Sequence, residues 1–118
     1  MTKEERMDRA RGLHRAGCNC CQAVVMAWAD RLPIDEKAAM DVAAPVGRGL
    51  AGTREVCGCV SGMAMVCGLT GHNADVRSLI EKFREEEGDI VCGRLLAQGK
   101  KPCPDMVADA AGMLSEVL

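Results

Sequence analysis

Residues 17–33 read GCNCCQAVVMAWADRLP, and their punctuation settles the class of fold. Gly17 suits the end of a preceding helix, and Asn19 followed three residues later by Gln22 forms a capping box. Val24, Val25, Trp28 and Leu32 return at helical spacing, and Pro33 closes the run. The pattern predicts a helix that opens at Asn19 and stops at Pro33. It also places three thiols, Cys18, Cys20 and Cys21, around the helix start.

Outward from this stretch the same signals repeat. A helix over Lys3–Arg15 is expected, with Met7, Ala10, Leu13 and His14 on one side and Arg6, Arg9, Arg11 and Arg15 among its polar positions. Further helices are expected over Asp35–Ala44, ahead of Pro45, over Glu55–Leu69, ending at Gly71, and over Ala74–Glu87. Gly88 and Asp89 begin a short segment through Leu96, and Pro104 opens a final helix. Alternating β-branched runs and Asn-Gly or Asp-Gly hairpins are missing. The expected fold is all-α: one domain over residues 1–118, a compact bundle of about five to six short helices.

The 118 residues suit one core, with 48% hydrophobic and 27% charged residues. Trp28 and Phe83 are the only aromatics, so aliphatic residues, Met and Cys must fill the interior. A net charge of -2 argues against nucleic acid and against a polybasic membrane anchor. The N-terminal MTKEERMDRARGLHRAG has no apolar core of a signal peptide, and no window reaches the length of a membrane span. A cytoplasmic location is expected. Thiols stay reduced there, so the eight Cys are expected to be metal ligands, catalytic groups or small core residues rather than disulfides.

GRGLAG, residues 47–52, has the spacing of a dinucleotide fingerprint, but no strand precedes it and no βαβ unit surrounds it. Its glycines are expected to turn the chain ahead of the fourth helix.

The caps place Cys20 at the first position of its helix, Cys92 at the third behind Asp89, and Cys103 at the N-cap before Pro104. Cys57 and Cys59 fall near the start of the fourth helix. Free N–H groups and partial positive charge at helix starts favour thiolate over thiol and welcome anions. Arg48, Arg54, Lys100 and Lys101 are near these starts in sequence. A four-iron cluster suits such a pocket, because iron of this kind prefers sulfur and the cluster takes four Cys. Neither the C-x2-C-x2-C run of ferredoxins nor paired zinc knuckles is present; a doubled C-x-C, Cys18 with Cys20 and Cys57 with Cys59, stands instead. Cys67 is ten residues beyond Cys57, about 15 Å along a helix, and is expected in the core. Cys57, Ser61, Ala64 and Gly68 form a stripe of small residues that suits close helix packing or room beside a cofactor.

At NCCQAV (19–24), REVCGCVSG (54–62), GDIVCGRLL (88–96) and PCPDMVADAAGML (102–114), the chain resembles the C_GCAxxG_C_C family of redox-active proteins. The resemblance runs from about Gly12 onward. It implies that the family's four cysteines correspond to Cys20, Cys57, Cys92 and Cys103, holding an iron-sulfur cluster, 4Fe-4S or larger. It also implies a redox partner protein, an oxidoreductase. Where the family carries Ala, this chain has Cys21 and Cys59. These thiols and Cys18 are either small buried residues or additional ligands.

His14 and His72 are read as structural, and Glu85, Glu86 and Glu87 as a solvated face. Three functions stay open: an electron carrier, a Cu(I) or Zn(II) carrier drawing on the eight Met as well as the Cys, and a thiol- or cluster-dependent reductase with Cys20 as nucleophile. The sequence leaves open whether the chain is an enzyme, and so small a core leaves a homodimer open too.

Overall fold

Thr2 and Glu5 form a capping box at the head of α1, Lys3–Arg15, and Asn19 and Gln22 form another at the head of α2, Cys20–Met26. Asp35 caps α3, Glu36–Ala43, by accepting from the Ala38 N–H. There follow α4, Gly58–Thr70; α5, Val76–Glu87; α6, Cys92–Gln98; and α7, Cys103–Leu114. The computed structural model describes residues 1–118. The fold is all-α, with no strand and a single antiparallel bridge between Val56 and Val91. Seven helices form rather than five to six, because Cys92–Gln98 closes as a helix of its own before Gly99 turns left-handed at φ 59°.

α1 lies along α7, and α2 runs through the middle against α1, α3, α4 and α7. Phe83, Met63, Leu114, Val24 and Val25 are the largest fully buried side chains. Cys67 is 0% exposed, as its distance from Cys57 along α4 implied. No helix is long and apolar enough to cross a membrane.

Several boundaries differ from the sequence expectation. α2 stops at Met26 rather than running to Pro33, because arginines of α1 take its last carbonyls. Arg9 Nε donates to the Met26 oxygen at 3.1 Å, and Arg6 Nη1 donates to the Ala27 oxygen at 2.9 Å. Arg6, expected among polar positions, is only 3% exposed. It stacks on Trp28, 4.0 Å from the ring centroid, and pairs with Asp30. Trp28 Nε1 donates to the Ala111 oxygen at 3.1 Å, which ties this corner to α7.

α4 begins at Gly58 rather than Glu55, since residues 54–57 run beside residues 90–93. The Cys57 N–H donates to the Ile90 oxygen at 2.7 Å, and the Cys92 N–H to the Glu55 oxygen at 2.7 Å. Cys92 is therefore the first residue of α6, not the third. Asp89 Oδ1 accepts from Ile90 and Val91 N–H at 2.7 and 3.0 Å, a turn ahead of the helix rather than a cap within it. Cys103 opens α7 behind Pro102, one position inside its expected place. Glu87 departs from the exposed run it was assigned to: it is 5% exposed and pairs with Lys101 at 3.0 Å.

Candidate metal centre

The starts of α2, α4, α6 and α7 face one cavity of about 320 Å³, and six thiols line it: Cys18, Cys20, Cys57, Cys59, Cys92 and Cys103. The size falls in the range of cofactor pockets, about 300–1,000 Å³. Leu95, Leu96 and Met106 supply apolar wall, and His14, Asn19, Arg48 and Arg54 the polar remainder. All eight cysteines are free thiols.

Each sulfur arrives by a local device. Cys18 sits in the turn after α1, its N–H bonded to the Leu13 oxygen at 3.0 Å, and Cys20 follows the Asn19 cap. Gly58 allows α4 to meet α2, because a Cβ at that position would overlap the Cys20 sulfur. A Cβ on Gly47 would likewise overlap the Asn19 side chain. The pairing of residues 54–57 with 90–93 sets Cys57 beside Cys92 in the cavity wall.

Between Gly47 and Glu55 the chain winds left-handed, with positive φ at Arg48 (57°), Gly49 (68°), Leu50 (73°), Ala51 (52°), Gly52 (81°) and Arg54 (61°). Four of these are not glycine, a conformation that costs roughly 1–2 kcal/mol per residue. It persists because the turn is tied down: Ala51 N–H to the Pro45 oxygen and Glu55 N–H to the Gly49 oxygen, both at 2.8 Å. The GRGLAG stretch thus turns the chain ahead of α4, as expected, and the winding from Gly47 to Glu55 brings Arg48 and Arg54 to the cavity.

The electrostatics of the thiols are uneven. Cys20 is held far below the ordinary thiol value because its sulfur accepts from the Cys57 and Cys59 thiols and from the Arg48 and Cys21 N–H groups. Cys57 and Cys59 are pushed up for the same reason, as donors to Cys20, with burial adding to it. Burial, then the charges of Cys20 and Cys92, raise Cys103; burial raises Cys18. Arg54 Nη1 donates to Cys92 Sγ at 3.7 Å. The protein's own groups thus stabilise the Cys20 thiolate, while Cys57 and Cys59 hold their protons by donating to it and Cys18 and Cys103 through burial. A bound soft cation would displace those protons, since metal binding by thiols releases them.

No three thiol, imidazole or carboxylate groups close to the spacing required by one metal ion. The thiols are arranged around a volume rather than a point, which suits a cluster whose ligands sit on different irons.

All four sites expected from the resemblance, Cys20, Cys57, Cys92 and Cys103, line the cavity, and so do Cys18 and Cys59. Cys21 does not. It is 0% exposed and its sulfur lies 3.5 Å from Met65 Sδ, inside the core. Arg48 and Arg54 reach the cavity, whereas Lys101 is spent on carboxylates. His14 lines the cavity; His72 Nδ1 lies 3.1 Å from Thr70 Oγ1.

An all-helical frame that gathers free thiols from four segments around one cavity defines a cysteine-rich class of small helical protein. Within that class the chain belongs to the family described as "Putative redox-active protein (C_GCAxxG_C_C)", which matches residues 18–117. No curated protein and no solved structure matches it.

Proposed function

We propose that this chain is a small cytoplasmic electron carrier that holds an iron-sulfur cluster through Cys20, Cys57, Cys92 and Cys103 and exchanges electrons with an oxidoreductase. One observation carries the proposal: four thiols spread from residue 20 to residue 103 meet at one cavity, each at or next to a helix start. A cluster, when bound, supplies reversible one-electron chemistry at a potential set by burial and by hydrogen bonds to sulfur. The chain's own residues do the rest. Arg48 and Arg54 offset the negative charge of converging thiolates, and the Arg54 contact with Cys92 Sγ is the kind of hydrogen bond that raises a potential. Leu95, Leu96 and Met106 keep that side of the pocket apolar.

The test is a series of single Cys→Ser variants purified without oxygen. Loss of bound iron is expected at each of the four positions and retention at Cys67, the core thiol. Equal tolerance at all five would overturn the ligand assignment. A second reading, a Cu(I) carrier, draws on the placement of the Met106 thioether among the thiols. Purified protein that holds copper in place of iron and sulfide would favour it.

A further inference from the structure

We propose that Cys59 is a fifth iron ligand, so that the pocket takes a cluster larger than a single four-thiolate cubane. The inference rests on the iron-sulfur reading above and concerns the size of the group held.

Four thiols of this chain, Cys18, Cys21, Cys59 and Cys67, lie outside the four-cysteine set, and the fold sorts them. Cys21 faces away from the cavity, with its sulfur against Met65 Sδ at 3.5 Å. Cys18 lines the mouth and is half-buried. Cys59 is 1% exposed and lines the cavity together with Cys20 and Cys57. The other buried thiols outside the set, Cys21 and Cys67, are each 0% exposed and take no part in the cavity lining. Cys59 alone of the fully buried extra thiols forms part of the cavity wall.

The count of positions gives the size of the guest. A four-iron cubane takes four thiolates, one on each iron, so a fifth protein sulfur has no place on it. An additional single iron ion beside a cubane would raise iron without raising acid-labile sulfide, so a parallel rise in sulfide is what marks an extended cluster. A cluster extended by further iron and sulfide accommodates Cys59 within the same cavity. Arg48 and Arg54, both at the cavity, offset the charge of the added thiolate.

The experiment loads the full chain with iron and sulfide anaerobically and compares wild type with Cys59→Ala, Cys59→Ser and Cys21→Ala. Iron, acid-labile sulfide and the electron paramagnetic resonance spectrum of the reduced protein are the readouts. The expected result is wild-type iron clearly above about four per chain, a fall toward about four with a changed spectrum in both Cys59 variants, and no change at Cys21. Circular dichroism of the cluster-free variants checks that each still folds, and the serine keeps the site filled should alanine leave a void. Wild type and both Cys59 variants with equal iron and the same spectrum would overturn the inference while leaving the four-ligand reading intact. A wild type that takes up neither iron nor sulfide would remove the reading beneath it as well.

Discussion

Two of the polar clusters set into this bundle are built on opposite plans. In one, Lys101 Nζ bridges Asp109 at 2.6 Å and Glu87 at 3.0 Å, tying the end of α5 to α7 through the link that follows α6. Every charge in it has a partner of opposite sign. In the other, six thiols face a cavity, with one another and two arginines for company. A closed network of this kind holds elements together, whereas an open ring of donors is arranged for a guest. The lesson is that burial and polarity alone do not mark a site; what marks it is donor capacity that the protein leaves unused.

The comparison predicts opposite consequences for damage. The largest effect is expected from Cys20→Ser, which should abolish nearly all iron binding while the cluster-free protein keeps its helical content by circular dichroism. A cluster-free Cys20→Ser chain that fails to fold would erase the distinction between the two regions. Next in size, Gly49→Ala should destabilise the fold by about 3 kcal/mol in urea titration, since Gly49 has φ 68° and an added Cβ would overlap the Arg54 backbone. Because that loop delivers Arg48 and Arg54, iron binding should weaken along with stability.

Lys101→Met should do the reverse of the cysteine change. Removing the shared cation leaves Glu87 and Asp109 facing each other and should cost about 1–3 kcal/mol, with iron per chain unaltered. Lost iron at normal stability would contradict the separation of the clusters.

The smallest effect is a pH slope. Glu87 is raised from an ordinary 4.5 to about 7, by burial first and by its hydrogen bond with Asp109 second. Between those values the unfolded chain has released this proton while the folded chain keeps it, so stability falls as pH rises through the window and levels off above about 7. Asp109 is held below its ordinary value against burial, chiefly by hydrogen bonds from Glu87 and Lys101, so its own contribution is lost only at lower pH. Glu87→Gln should flatten the slope, as read from chemical denaturation between pH 5 and 8. A wild type with no slope in that range would show that the network holds no shared proton.

Much of this was legible in the chain. The capping box at Asn19 and Gln22, the stop at Gly71 and the end of a helix at Glu87 were local signals, and each stands where expected, while Asp35 proves to cap the third helix one residue ahead of its start. The end of α2 was not legible, because Arg6 and Arg9 terminate it from another helix and no neighbouring residue announces that. The starts of α4 and α6 were blurred by mutual pairing of residues 54–57 with 90–93, which is a contact across the chain. Among the thiols, the resemblance identified four that meet at the cavity. The separation of Cys59 from Cys21 was within reach: on a helix that starts at Cys20, the next residue turns about 100° away from it, toward the core that Val24 and Val25 enter. Glu87 was assigned to solvent because three acids in a row look solvated, and its partner lies fourteen residues on at Lys101.

The most direct test of the central claim is the iron and acid-labile sulfide content of wild-type protein isolated under anaerobic conditions. At least about four of each per chain, lost on Cys20→Ser and kept on Cys67→Ser, is the predicted result. Protein that carries neither, and takes up neither when both are supplied, would contradict it.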